Sequence, residues 1–176
     1  QEALDLIPGG SQTNSKRPQG YAPGAFPIYV ARGKGCRVWD VDGNVYIDYI
    51  LALGPITLGY CYDRVDQAVR EQLDKGMIFG LLHPVELEAA RLIRETVPCA
   101  EMVRFLKGGS EVTSAAARIA RAYTGRELIL NSGYRGWGDT WTAQHEPPAG
   151  AGVPECLRAM VKGFPRDDPD ALKDLL

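Results

Sequence analysis

The chain has 176 residues, 45% of them hydrophobic and 24% charged, with a net charge of −2. That suits one globular domain or parts of two, and the near-neutral balance gives no reason to expect nucleic acid or a membrane surface as partner. Cys36, Cys61, Cys99 and Cys156 show no C-x-x-C spacing, which argues against a zinc site or a disulfide framework and fits a reducing, cytoplasmic compartment.

His83 and His145 are the only histidines, so no histidine-based metal site is expected. Residues 1–26 predict a short helix, stopped by Ile7-Pro8-Gly9-Gly10, and then a polar arm carrying Lys16 and Arg17. From Phe26 to Tyr49 the β-branched and aromatic residues predict three short strands, turned at Gly33-Lys34-Gly35 and at Asp42-Gly43-Asn44. Residues 50–62 are apolar and aperiodic, with a Gly-Pro in the middle. A loop of that composition needs cover, which suits an active-site wall, a subunit interface or core filler.

Helices are expected from Asp63, as cap, to Gly76, and again after Pro84. Val65, Ala68, Val69 and Leu73 would form one apolar face, and Leu87, Ala90, Ile93 and Val97 would face the core. The connection M-I-F-G-L-L-H at 77–83 is apolar, and His83 before a helix-opening proline reads as a turn or packing residue.

The stretch V-R-F-L-K-G-G-S-E at 103–111 predicts a buried strand, a two-glycine turn and a helix with Ser110 at or near its N-cap and Gly125 as its stop. Free N–H groups and the positive end of a helix dipole make such a turn a ready anion site. Many αβ units turn a corner in the same way without binding anything. No Gly-Lys-Ser/Thr follows, so it is not a P-loop, and the glycine spacing is not that of a dinucleotide fingerprint.

A strand is expected at 127–131. The loop S-G-Y-R-G-W-G-D at 132–139 exposes backbone and displays flat rings, which suits stacking on a planar ligand and equally suits a surface loop with aromatic anchors. Beyond it the sequence predicts a Pro/Gly-rich loop at 145–154, a strand at 157–161 and a helix over 170–176 capped by Asp168-Pro169. Alternation of strand and helix from 101 onward implies a mostly parallel sheet, which usually needs more strands than these.

In this order the segments resemble the N-terminal portion of class III pyridoxal-phosphate aminotransferases, and most nearly the glutamate-1-semialdehyde aminomutase branch. The resemblance is carried by I-P-G-G at 7–10, G-C-R-V-W-D-V-D-G-N-V-Y-I-D-Y at 35–49 and G-P-I-T-L-G at 54–59. It continues in G-G-S-E at 108–111, A-R-I-A-R-A-Y-T-G-R at 117–126 and G-Y-R-G at 133–136. It implies an α/β protein: the first part of the fold type I aminotransferase fold, with a small antiparallel meander followed by the start of a mostly parallel αβα sheet. Residues 1–58 would then be arm and meander of the small domain, and 59–176 the first part of the large cofactor-binding domain.

The resemblance assigns pyridoxal 5'-phosphate as cofactor, with Gly108, Gly109 and Ser110 on its phosphate, Tyr134 stacked on its ring and Arg135 beside it. Arg17 is the nearest match to a family residue that meets a substrate carboxylate, although the spacing differs by a residue or two. Leu53 is a candidate substrate contact. The family's cofactor-bearing lysine, and the aspartate that pairs with the ring nitrogen, are expected beyond Leu176, so no catalytic residue is assigned in this chain. The 176 residues alone are expected to be inactive.

Two departures shape the functional expectation. Arg135 stands where the family commonly has histidine, and Ala52-Leu53 replaces the Ser-Trp of the aminomutase branch. The second favours amino transfer between an amino donor and a carbonyl acceptor over the alternative, glutamate-1-semialdehyde 2,1-aminomutase. A truncated, catalytically inactive phosphate-binding module and an unrelated phosphosugar- or nucleotide-binding enzyme are the other readings. A homodimer is expected by family analogy, with small-molecule substrates, no metal, no nucleic acid and no membrane.

Overall fold

The computed structural model describes residues 1–22 and 24–176; Pro23, in the polar arm, lies outside them. The protein is α/β and forms two compact units, Gln1–His83 and Pro84–Leu176. In the first, helix α1 (Glu2–Leu6) leads into an arm of three short 3-10 turns. Strands β1 (Val30–Lys34), β2 (Arg37–Asp40) and β3 (Val45–Ile47) follow as an antiparallel sheet in the order β1-β2-β3.

The first turn differs from expectation. Gly33 and Lys34 pair with Val38 and Arg37, so they belong to β1 and the chain reverses at Gly35-Cys36. Gly33 is needed for another reason: a Cβ there would sit 2.7 Å from Cδ1 of Tyr60, whose ring covers this strand. The second turn, at Asp42-Gly43, forms as its sequence dictates, with Gly43 at φ 86°.

Two carboxylates organise this unit. Asp40 is buried and accepts from the backbone N–H of Asp42 (3.0 Å) and Asn44 (2.8 Å), from Asn44 Nδ2 (2.9 Å) and from the Tyr46 hydroxyl (3.0 Å). The Asn44 amide, with those other donors, holds its pKa below the usual carboxylate range. Asp48 accepts from the N–H groups of Ile50 (2.7 Å) and Leu51 (3.3 Å) and from the Tyr60 hydroxyl (2.8 Å). Burial opposes its charge, but the Tyr60 hydroxyl and the two N–H donors outweigh it and lower its pKa as well.

Asp48 thereby pins a turn in which Leu51, Ala52 and Leu53 are all left-handed, with φ of 52°, 50° and 71°. Each non-glycine residue there carries roughly 1–2 kcal/mol of backbone strain. Both carboxylates have folded pKa values below their unfolded ones. Their stabilisation is therefore present above the unfolded carboxylate pKa and is lost as pH falls through the lowered values. Unfolding followed by circular dichroism from pH 7 to pH 2 is expected to show this loss, and Asp40→Asn is expected to flatten it; an unchanged pH slope in the variant would contradict the assignment.

Helix α2 (Asp63–Leu73) closes the unit's regular structure, but Asp63 is not its cap. Tyr62 holds the N-cap position, and the Asp63 carboxylate accepts from Lys34 Nζ at 2.9 Å across to β1. His83 stacks on Phe79 with ring centroids 5.1 Å apart, a packing contact.

The second unit contains α3 (Pro84–Thr96), α4 (Gly109–Thr124), β4 (Ile129–Asn131), α5 (Asp139–Thr142), α6 (Glu155–Arg158), β5 (Val161–Gly163) and α7 (Pro169–Lys173). β4 and β5 run parallel, with Ile129 opposite Val161 and Asn131 opposite Gly163. The core is formed by Ala117, Trp141, Ala143 and Val161.

Several expectations fail here. Residues 103–106 form no strand, and Phe105 and Leu106 are exposed, because a parallel strand needs a neighbour to pair with and among the described residues this sheet has two strands, already paired with each other. The strand expected at 157–161 is instead the short helix α6 followed by β5 at Val161, and α5 was not foreseen. The faces of α2 and α3 contain no buried residue, so Val65, Val69, Leu73, Leu87 and Val97 remain exposed instead of packing into a core. The last helix is capped as expected: Asp168 Oδ1 accepts from the Ala171 N–H at 2.9 Å. Among the described residues no helix is long and apolar enough to cross a membrane.

Candidate functional site

The site lies at the start of α4, in the second unit. Gly108, not Ser110, holds the N-cap position with φ −132° and ψ 155°, and Ser110 is the second residue inside the helix. The Glu111 carboxylate reaches back to accept from the N–H groups of Lys107 (3.1 Å) and Gly108 (3.2 Å). This is half of a capping box, and it commits the Gly108 N–H to the protein. The N–H groups of Gly109, Ser110 and Glu111 have no acceptor among the described residues, as first-turn amides lack intrahelical partners. A 16-residue helix also places the positive end of its dipole there.

The loop after the carboxyl end of β4 is brought against this turn. In open α/β sheets ligands bind outside the carboxyl ends of the strands. Thr113 Oγ1 donates to the carbonyl of Arg135 at 2.7 Å, and Ser110 Oγ accepts from the Gly138 N–H at a long 3.4 Å. Trp141 Nε1 donates to Ser114 Oγ at 3.0 Å. Gly136 makes the close approach possible: at φ 147°, a Cβ there would meet Ser110 Oγ and lie 2.8 Å from Ser110 Cβ. The glycine bend and the loop bearing Tyr134 are therefore neighbours. Tyr134 is 76% exposed. Arg135 is exposed and its Nη1 donates to the Tyr134 carbonyl at 2.8 Å.

Arg121 secures the other end of α4, donating from Nε to the Glu127 carbonyl at 2.8 Å. Arg158 donates to the carbonyls of Ala143 (2.8 Å), His145 (3.1 Å) and Gly150, closing the loop beyond α5.

Gly108, Gly109, Ser110, Tyr134 and Arg135 thus share one region. Arg17 and Leu53 belong to the first unit. The Arg17 guanidinium lies against Gly9, where a Cβ would be 2.6 Å from its Nε. Leu53 sits half-exposed in the left-handed turn pinned by Asp48. Sequence reasoning missed Thr113, Ser114 and Gly136. Hydroxyls at Ser110, Thr113 and Ser114 repeat at i, i+3 and i+4, a one-face spacing that could have flagged them.

The fold is shared with solved transaminases. An omega-transaminase from Sphaerobacter thermophilus matches with a TM-score of 0.82 at 28% identity, over 99% of this chain and 42% of its own. A structure described as a transaminase with PLP bound matches with a TM-score of 0.84 at 29% identity, over 99% and 42%. The sequence model of the class III aminotransferases matches residues 20–145.

The chain belongs to the class III aminotransferase family. It is 41% identical to a 3-aminobutyryl-CoA aminotransferase of Cloacimonas acidaminovorans, over 100% of this chain and 41% of that protein. It is 40% identical to a glutamate-1-semialdehyde 2,1-aminomutase of Archaeoglobus fulgidus, over 99% of this chain and 43% of that protein. The chain thus spans about two-fifths of the length of the curated relatives it matches.

Proposed function

We propose that this chain is the phosphate- and ring-holding portion of a pyridoxal-phosphate-dependent aminotransferase, whose whole protein moves an amino group from a donor to a carbonyl acceptor. The observation that carries the reading is the Thr113–Arg135 bond, together with Gly136 against Ser110, which sets a free-amide turn beside an exposed tyrosine. A phosphorylated flat heterocycle is the ligand that uses both. The residues fit it: Gly109 and Ser110 offer unpaired N–H groups, Ser110 a hydroxyl, and Tyr134 a free ring face. Gly108 offers no free N–H to the phosphate, since its own is committed to Glu111. When bound, the cofactor supplies an electron sink for removing a proton from the amine-bearing carbon. This chain's residues bind and orient it, and the proton-transferring groups are expected outside these 176 residues.

The boundary between small and large domains near residue 58 is part of this proposal, as are a homodimer and a cytoplasmic setting. Leu58, Met77, Ile78, Leu81 and Leu82 are exposed and need apolar cover, and all four cysteines are free. Ala52-Leu53 at the pinned turn favours amino transfer over the aminomutase reaction.

The test is a binding competition followed by an assay of the protein as its gene encodes it. Pyridoxal phosphate is expected to displace ATP, and amino transfer from a panel of amino acids to a keto acid is expected to depend on it. Preference for ATP would reject the cofactor. Isomerisation of a single amino-aldehyde without an acceptor would favour the aminomutase.

A further inference from the structure

The link between the turn and the aromatic loop runs through a residue that no cofactor assignment includes. The Thr113 hydroxyl has one proton and three carbonyls in reach: Gly109 and Ser110 at 3.1 Å each, within its own helix, and Arg135 at 2.7 Å, in the loop. The shortest contact is the one that crosses elements, and a hydroxyl can donate to only one acceptor fully. The Arg135 carbonyl is the first backbone acceptor after Tyr134, so wherever it is held the tyrosine follows. The other ties between the loop and α4 lie further along: Gly138 N–H to Ser110 Oγ is long at 3.4 Å, and Trp141 to Ser114 lies seven residues beyond Tyr134; on the near side, Asn131 Nδ2 donates to the Gly133 carbonyl at 3.3 Å, which ties the loop to β4 and not to α4. None of these fixes the tyrosine end of the loop to α4.

We propose that Thr113 is a positioning residue whose hydroxyl holds the Arg135 carbonyl and thereby fixes the Tyr134 loop against the amide turn at Gly109-Ser110. This rests on the cofactor reading above. It divides the labour on α4: the Gly109 and Ser110 amides take the phosphate, and Thr113 carries the group that meets the ring. Trp141, buried and tied to Ser114, keeps the far end of the loop in place when Thr113 changes.

The experiment compares wild type, Thr113→Val, Thr113→Ser and Ser110→Ala in the protein as its gene encodes it. Dissociation constants are measured for pyridoxal phosphate, for pyridoxal and for inorganic phosphate. Thr113→Val is expected to weaken the two ring-bearing ligands roughly three- to tenfold, the effect of one lost hydrogen bond, and to leave inorganic phosphate unchanged. Thr113→Ser restores them, whereas Ser110→Ala weakens inorganic phosphate too. Without any ligand, amide hydrogen exchange over 134–138 is expected to quicken in Thr113→Val and to recover in Thr113→Ser; Thr113→Ala serves if the valine variant does not fold.

Equal weakening of phosphate and ring ligands by Thr113→Val, or unchanged exchange and affinity, would overturn the positioning role while leaving the cofactor reading intact. Failure of the wild type to bind pyridoxal phosphate would overturn both.

Discussion

Replacing Gly136 with alanine is expected either to drive the aromatic loop off α4 or to destabilise the chain. The added Cβ would lie 2.8 Å from Ser110 Cβ and 3.0 Å from Ser110 Cα, and the second of these is backbone that cannot rotate away. The φ of 147° adds strain that an L side chain rarely accepts. Overpacking and backbone strain together should cost about 2–4 kcal/mol. The chain has two ways to respond. It can keep the loop and lose stability, or release the loop and lose the neighbourhood of Tyr134 and Ser110. Urea unfolding with parallel pyridoxal-phosphate titration separates them. Either a lowered midpoint or a weakened affinity is expected, and a variant with both unchanged would mean that the loop does not lie against Ser110 in solution.

The larger stability effect is expected at Trp141. The residue is 7% exposed in a unit whose other buried apolar residues are small, namely Ala117, Ala143 and Val161. Trp141→Ala removes the one large ring of that core and strands the Ser114 hydroxyl acceptor, at roughly 3–5 kcal/mol. Chemical denaturation of the variant should show an earlier transition for the second unit. Trp141→Phe should recover most of the packing and leave Ser114 without its donor. A Trp141→Ala midpoint equal to wild type would show that this ring is not the unit's centre.

Local signals in the sequence were readable where one residue decides the backbone. Asp42-Gly43 turns β2 into β3, Gly125 ends α4 at φ 68°, and Asp168 caps the last helix, each by chemistry within four residues. Signals that depend on distant partners were not readable. Asp63 had the composition of a cap, yet Lys34 claims its carboxylate from 29 positions away. The apolar residues at 103–106 had strand character, yet pairing is decided by a neighbouring strand. Gly33 looked like a turn residue and is instead a strand residue on which the Tyr60 ring lies.

The candidate site divides in the same way. The glycine bend and the displayed tyrosine could each be read locally. Their meeting could not, because the one-face spacing of Thr113 and Ser114 does not say which partners their hydroxyls find, and those partners lie 22 and 27 residues away. Glu111 is an intermediate case. Its place in the first turn was legible, but its bond to the Gly108 N–H, which moves the anion donors on to Gly109 and Ser110, needed the fold.

Pyridoxal phosphate is expected to be held at once by the first-turn amides of α4 and by the Tyr134 ring. Nuclear magnetic resonance of the isotope-labelled protein during a pyridoxal-phosphate titration tests it directly. The amide signals of Gly109 and Ser110 and the ring signal of Tyr134 should move along one saturation curve, while inorganic phosphate moves the amides alone. Pyridoxal phosphate that saturates while leaving either the amides or the ring unmoved would contradict it.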